Sequence, residues 1–380
     1  MLGQKASNVW YGDEQTVCWI QPELPFGFAF EPHLAQTYVE SGWCFVEAIM
    51  SASVKAANRR LDLSRRTQTA MEFAYGGSSW DTGWTLESVC SGPEARMPPL
   101  PPEEVRRLLQ TAKKFTASTD LDRVDQLYHT FFEGVLQTTK INMKELGWTE
   151  MQARQLVAVL PRFTALTSVD LSGNELGVKG GAVLAGLLPA MSSLTECNVC
   201  GNKLDRESAT MLANVATEKR IMLFGITHDQ KEADFSNQNL SLADVTLIAS
   251  DLAVSNSLTQ CNMRGVKLDI KTALTLARIG TQKGTMLYGI KPDQKEADFR
   301  GQLLGPMEAM LIACDLAVST SLLSVCTPAH NRASTRSILS LCSWRPCAPV
   351  LPAGPLIQRA LRHQRSWGGL LRRRGPPSDR

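Results

Sequence analysis

The middle of the chain alternates apolar and polar residues over a few positions, then relaxes to a helical spacing. In LTSVDLSGNEL, residues 166–176, the apolar positions are Leu166, Val169, Leu171 and Leu176, and Asp170 sits between Val169 and Leu171. Successive strand residues point to opposite faces, so the pattern predicts a short strand with Val169 and Leu171 inward and Asp170 outward. The segment GGAVLAGLLPAM that follows has the period of a helix with one apolar face. This strand-then-helix pattern recurs. The equivalents of Leu171 are Val199, Phe235, Met263 and Phe299, at spacings of 28, 36, 28 and 36 residues. The equivalents of Leu176 are Leu204, Leu240, Leu268 and Leu304. The position of Asn174 reads Asn202, Gln238, Val266 and Gln302. An asparagine there predicts a turn whose side chain satisfies backbone groups that the turn leaves unpaired.

The alternation of spacings reflects a larger, double unit that joins one short spacing to one long one. SLTECNVCGNKLD at 193–205 matches SLTQCNMRGVKLD at 257–269, and MLFGI at 222–226 matches MLYGI at 286–290. The heptad DQKEADF occurs unchanged at 229–235 and 293–299, and IASDLAVSNSL at 248–258 matches IACDLAVSTSL at 312–322. A degenerate first unit precedes them, with Ile141, Met143, Leu146 and Trp148 standing one short spacing before Val169, Leu171, Asn174 and Leu176. The motif L-x-x-L-x-L-x-x-N-x-L resembles the leucine-rich repeat, and units of about 28 residues with a full helix resemble its ribonuclease-inhibitor type. That resemblance implies stacked units, since one unit cannot bury its own apolar face. The fold class expected is α/β: a solenoid with a parallel concave sheet and convex helices over 138–326. A small α/β or α+β region precedes it over 1–97, and a Pro-rich linker with bridging or capping helices spans 98–137. A disordered Arg/Pro-rich tail is expected over 327–380.

The outward strand positions define the candidate site. They read Asp170, Asn198, Asp234, Asn262 and Asp298, and one step earlier Ser168, Glu196, Glu232, Gln260 and Glu296. On one parallel sheet these form a largely acidic stripe, either a solvated ladder or a recognition face for a basic protein surface. The candidate partner-binding residues are therefore Asp170, Glu196, Asn198, Glu232, Asp234, Asn262, Glu296 and Asp298.

The front of the chain reads differently. MPPLPPEE at 97–104 is a proline-rich break that opens a helix with Glu103 and Glu104 in its first turn. A second helix is predicted from Asp120 to Leu136. Within 1–96, ESGWCFVEAIMSASVKAANRRLDLS predicts a Gly-Trp turn running into a helix whose apolar face includes Phe45, Ile49, Ala52 and Val54. Gly42, Trp43 and Glu47 are similar to the SGW/RGW-x-x-x-E segment of TIR-like or heterokaryon-incompatibility-like regions of microbial-eukaryote proteins. That resemblance implies NAD-handling activity. The first strand and acidic loop of such a domain have no counterpart in this sequence, so Glu47 reads as a structural helix residue.

Charge is divided unevenly. Residues 327–380 hold ten Arg and one Asp, a net +9, so the rest of the chain carries 3 − 9 = −6 of the overall +3. The overall balance therefore gives no nucleic-acid footprint, and no nucleic-acid or membrane partner is expected. The tail's loss of periodicity predicts disorder, and a reading-frame or splice error would produce the same break. The array then stops near Cys326, leaving an apolar edge that self-association or the tail would cover. The start MLGQKASNVW lacks the apolar core of a signal peptide. The ten cysteines show no framework spacing, which suits reduced thiols and a cytoplasmic protein. A nuclear location would follow if the run Arg372–Arg374 is a signal.

No phosphate loop and no Gly-x-Ser-x-Gly elbow is present. Cys197 and Cys200 form a lone C-x-x-C, but Cys197 falls on the inward slot of Val169 and Cys261, a core position. The five histidines are scattered, and Pro292 replaces His228 in the sister unit. No catalytic, metal or cofactor site is expected. The reading is a non-enzymatic protein-binding module. One alternative is a regulator resembling Ran GTPase-activating protein, whose repeats are of the same type. The other is a TIR-like NAD-handling enzyme with a repeat sensor.

Overall fold

The computed structural model describes residues 11–20, 31, 33–35, 37, 40–62, 90, 96–299, 302, 304–322 and 324–326. The tail at 327–380 and most of the front of the chain lie outside them. The chain divides into two compact units, residues 1–221 and 222–380. Both are mixed α/β with short parallel strands.

Unit 1 begins with β1 (Cys18–Ile20), α1 (Gly42–Val54) and β2 (Arg60–Asp62), with β1 and β2 paired in parallel. Ser41 caps α1, its hydroxyl accepting from the Cys44 N–H at 3.5 Å. A Cβ at Gly42 would lie 2.1 Å from the Phe115 ring, so only glycine fits under that ring. Of the expected apolar face of α1 only Ala52 is closed, beside Val46 and Met50, whereas Phe45, Ile49 and Val54 are half-buried. Helices α2 (Pro102–Thr111) and α3 (Asp120–Leu136) pack on each other, and α1 packs on α3. The Tyr128 hydroxyl donates to the Leu100 carbonyl (2.7 Å) and the Trp148 indole to that of Arg96 (3.0 Å). These two bonds tie the proline-rich segment to the rest of unit 1.

The remainder of unit 1 runs β3 (Lys140–Asn142), α4 (Glu150–Val159), β4 (Ser168–Asp170), α5 (Gly177–Leu187), β5 (Glu196–Asn198) and α6 (Arg206–Lys219). The strands form one parallel sheet in the order β3-β4-β5. Ile141 pairs with Val169 and Val169 with Cys197, the same shift each time. Helix α5 packs between α4 and α6. Val169, Leu171, Leu176, Cys197 and Val199 are all buried.

Two asparagines lock successive turns together. The Asn174 side-chain oxygen accepts from the N–H groups of Leu146 (2.9 Å) and Trp148 (3.0 Å). Its amide nitrogen donates to the carbonyls of Met143 and Leu171, both at 2.8 Å. Asn202 repeats the arrangement, donating to Leu171 (2.8 Å) and Val199 (3.0 Å). Both side chains are 1% exposed, so every bond replaces one that water cannot supply.

Unit 2 runs β6 (Glu232–Asp234), α7 (Leu242–Val254), β7 (Gln260–Asn262), α8 (Ile270–Lys283), β8 (Glu296–Asp298), α9 (Pro306–Val318) and β9 (Ser324–Cys326). β6 pairs with β7 and β8 with β9, parallel and with the register shift of unit 1. A single parallel sheet carrying Asp170, Asp234 and Asp298 was expected. Instead Asp170 lies in the sheet of unit 1, while Asp234 and Asp298 lie in two separate strand pairs of unit 2. The extra residues of the longer spacing explain the break between those pairs. The second edge of β7 is taken by Met286 and Leu287 of the MLYGI segment. Cys261 N–H donates to Met286 O (2.7 Å), Met286 N–H to Thr259 O (2.9 Å) and Met263 N–H to Leu287 O (2.8 Å). The chain then turns at Gly289, φ +83°, and starts β8 elsewhere.

Several expected core leucines stand at a rim. Phe299 and Leu304 are buried, but Leu204, Phe235, Leu240 and Leu268 are half-buried; in unit 2, Phe235, Leu240 and Leu268 pack against the core from its edge. Leu171→Ala should therefore cost about 2–5 kcal/mol, as for fully buried leucines, and Leu240→Ala about 1–2 kcal/mol because less apolar surface leaves water there. Urea titration of both variants checks the order, and equal losses would contradict these burial differences.

Candidate interaction surface

The outward Asp and Asn residues share one local task. Asn142 Oδ1 accepts from the Lys144 N–H (3.1 Å), Asp170 from Ser172 (2.9 Å) and Asn198 from Cys200 (3.2 Å). In unit 2, Asp234 accepts from Ser236 (2.8 Å) and Asn262 from Arg264 (3.1 Å). Each side chain bonds the backbone two residues on and ends its strand in an Asx turn. An aspartate and an asparagine do this equally well, which accounts for their exchange along the series. The Ser236 hydroxyl and N–H together hold the Asp234 carboxyl below the usual carboxylate range.

Exposure differs between the two units. Asp170, Glu196 and Asn198 on β4 and β5 are half-buried. Glu232 and Asp234 on β6, and Glu296 and Asp298 on β8, are exposed, with Asn262 on β7 half-buried. In unit 2 the structure brings Glu232 beside Gln260 and Asp234 beside Asn262.

The duplicated heptad is held by the same bonds in both copies. Gln230 accepts from the Thr227 N–H (3.2 Å) and donates to the Glu232 carbonyl (2.7 Å); Gln294 does the same with Lys291 (3.0 Å) and Glu296 (2.5 Å). Ala233 and Ala297 are buried. The rings of Phe235 and Phe299 meet Phe224 and Tyr288 edge-on, with centroids 5.6 and 5.9 Å apart. Ser257 and Ser321 pin the loops through the carbonyls of His228 and Pro292. Since that bond uses a backbone oxygen, histidine and proline are interchangeable there.

Sequence reasoning passed over the most unusual ionisable groups in unit 2. Asp251 on α7 and Asp315 on α9, the aspartates of IASDLAV and IACDLAV, are fully buried at 0% exposure. Asp251 accepts from the N–H groups of Leu223 (2.5 Å) and Phe224 (2.8 Å), and Asp315 from Leu287 (2.5 Å) and Tyr288 (2.9 Å). Each carboxylate thus fastens a Met-Leu-aromatic-Gly segment 27–28 residues earlier. Burial pushes both carboxyls up to about 7, opposed by those donors. The available signal was a charged residue inside an apolar run, present twice.

The other chemical candidates have structural surroundings. Burial pushes the Cys197 and Cys261 thiols up to about 12, leaving them protonated and unreactive. Glu47 is half-buried, raised by burial and hydrogen-bonded to Tyr11. Lys55 is fully buried, its ammonium donating to the carbonyls of Asp13 and Thr16 and to the Thr16 hydroxyl (2.6 Å). Among the described residues no three His, Cys, Asp or Glu side chains gather to hold a metal ion, and no helix is long and apolar enough to cross a membrane. His330 and His363 lie outside the described residues. Comparison with known protein families finds no match, and comparison with curated proteins finds none either.

The two kinds of latch should not be interchangeable. Both Asp251 oxygens receive an N–H, so Asp251→Asn leaves one donor facing an amide NH2, at about 1–3 kcal/mol. Asn174→Asp turns a carboxylate toward the Met143 and Leu171 carbonyls and should cost at least as much. The folded carboxyls at about 7 stand above an unfolded value of about 4. Their contribution is complete below about pH 4 and is lost as pH rises through about 7, because the folded chain alone holds those protons in that window. Urea titrations at pH 4.5, 6 and 7.5 should show this decline in the wild type and a shallower one in Asp251→Asn/Asp315→Asn. An unchanged slope would assign the pH dependence to other groups.

Proposed function

We propose that the chain is a leucine-rich-repeat protein of the ribonuclease-inhibitor type and a non-enzymatic binding module. It engages a protein with a basic surface through the outward strand residues. The repeat reading is supported by the constant register in which successive strands pair and by Asn174 and Asn202 bridging successive turns. The observation that carries the binding reading is the exposure of Glu232, Asp234, Glu296 and Asp298 on strands whose opposite residues, Ala233 and Ala297, are closed into a core. Such side chains are presented on a backbone already ordered, so little entropy is lost when a partner docks. No cofactor is invoked, and the role is placed in the cytoplasm.

The Asx geometry makes a clean test available. Glu232→Gln, Asp234→Asn, Glu296→Gln and Asp298→Asn together remove four charges while keeping a side-chain acceptor at every position. Partners captured from source cells with the wild-type chain, then purified, should bind the quadruple variant at least tenfold more weakly and with a flatter salt dependence. Tm should move by less than about 2 °C, since no packing is lost. Equal affinity of both proteins for every such partner would remove this face from the interaction.

A further inference from the structure

Unit 2 carries both halves of a charge match. Each copy of the heptad DQKEADF holds three carboxylates against one lysine, a net −2. Asp229, Lys231, Glu232 and Asp234 are all exposed, as are Asp293, Lys295, Glu296 and Asp298. Arg264, just past β7, is exposed too and leaves the face net acidic. The same unit contains residues 327–380, with ten Arg, one Asp and a net +9. Every cation of that segment is an arginine, whose planar fork grips a carboxylate through two hydrogen bonds at once.

The place where that segment starts matters as much as its charge. Strand β9 pairs with β8 so that Ser324 stands beside Glu296 and Cys326 beside Asp298. Neighbouring strands lie about 4.8 Å apart. The segment therefore leaves the sheet one strand away from the acids of the second heptad. Arg332 follows Cys326 within about 20 Å of chain contour, and Arg336 within about 35 Å. A random coil of about 50 residues spans roughly 40 Å, comparable with the width of a compact unit of this size, so the later arginines reach the first heptad as well.

We infer that residues 327–380 occupy the acidic face of unit 2 in cis, so that an outside basic partner must displace them; this rests on reading that face as a site for a basic surface. A ligand tethered so close acts at an effective concentration on the order of 1 mM. Exposed charge pairs are individually weak, which gives the segment an intrinsic dissociation constant of about 0.1 mM. The face is then about nine-tenths occupied, and an outside partner binds about tenfold more weakly than it would to an open face.

The test titrates a fluorescent nona-arginine peptide, read by anisotropy, with four full-length chains. These are the wild type, a segment-neutral chain with all ten arginines of 327–380 changed to Gln, the face variant Glu232→Gln/Asp234→Asn/Glu296→Gln/Asp298→Asn, and the two sets combined. At about 0.1 M salt the segment-neutral chain should bind the probe about tenfold tighter than the wild type. Neutralising the face should remove most of that gain, and so should about 1 M salt, where the Debye length is ~3 Å. Loss of ten positive charges raises affinity for any cation, so the coupling between the two sets decides. A gain that survives on the neutral face overturns the inference. Equal affinity of the wild-type and segment-neutral chains overturns it too, and a face variant that has lost the probe then leaves the basic-partner reading standing alone. A segment-neutral chain that binds no better than the combined variant overturns both. The wild type gives a readout that needs no variant. Phenylglyoxal should modify Arg332 and Arg336 several-fold more slowly at about 0.1 M than at about 1 M salt, and equal rates overturn the inference.

Discussion

A strand of three residues closes few hydrogen bonds, so these turns depend on donors and acceptors supplied by a neighbouring turn. That requirement governs the architecture more than any single apolar contact. Asn174 joins its own turn to the one 26–31 residues earlier through three bonds, and Asn202 continues the series. The separation of these bonded groups is the repeat length. A turn longer by one residue would carry the asparagine past the N–H groups of Leu146 and Trp148, and buried amides without partners are expensive.

Unit 2 meets the same requirement with different chemistry. The turn positions there are Gln238, which is exposed, Val266, which is buried and apolar, and Gln302, which is half-buried; both glutamines donate only within their own turn, to Asp234 O and Asp298 O. The polar latch sits instead on the helices, in Asp251 and Asp315. The asparagine of unit 1 must both donate and accept, because it faces carbonyls and N–H groups together. The aspartates of unit 2 face N–H groups only, so a carboxylate serves and an amide would not. Burying a charge has a cost, visible in the upward push on both carboxyls. What it secures is the Met-Leu-aromatic-Gly segment, without which β7 would lose the backbone partners at Met286 and Leu287.

Local periodicity made the strand centres, most of the inward slots and the helices that follow them legible. The inward/outward assignment of Val169, Asp170 and Leu171 follows from alternation alone, and the role of Asn174 follows from its amide chemistry. The break between β7 and β8 was not legible, because a longer spacing says only that a loop is longer. It does not say that Met286 will take the place of a strand. The aspartate latches were missed for a related reason: their partners lie a full turn earlier, in an apolar segment that carries no polar signal of its own. Likewise, Gly42 was read as part of a motif, while its reason is the ring of Phe115, far along the chain.

Of the eight outward residues, Asp170, Asn198, Asp234 and Asn262 are committed to turns, and their identity would be restricted to Asp or Asn with or without a partner; Asp298 holds the same strand-end position on β8. Glu196, Glu232 and Glu296 bear no such restriction, since a glutamate is too long for an Asx turn and none of them caps its strand. The acidity of the surface therefore separates into a part that the backbone requires and a part that it does not. Only the second can report on recognition. In unit 2 that part is Glu232 and Glu296, one on each strand pair, both exposed and both preceded by a Gln brace that fixes where the strand begins. The charge of Asp234 adds to the same field but is explained without it. Residue identity alone therefore points to a basic partner only through these two glutamates, beside which Asp234 and Asp298 add exposed charge.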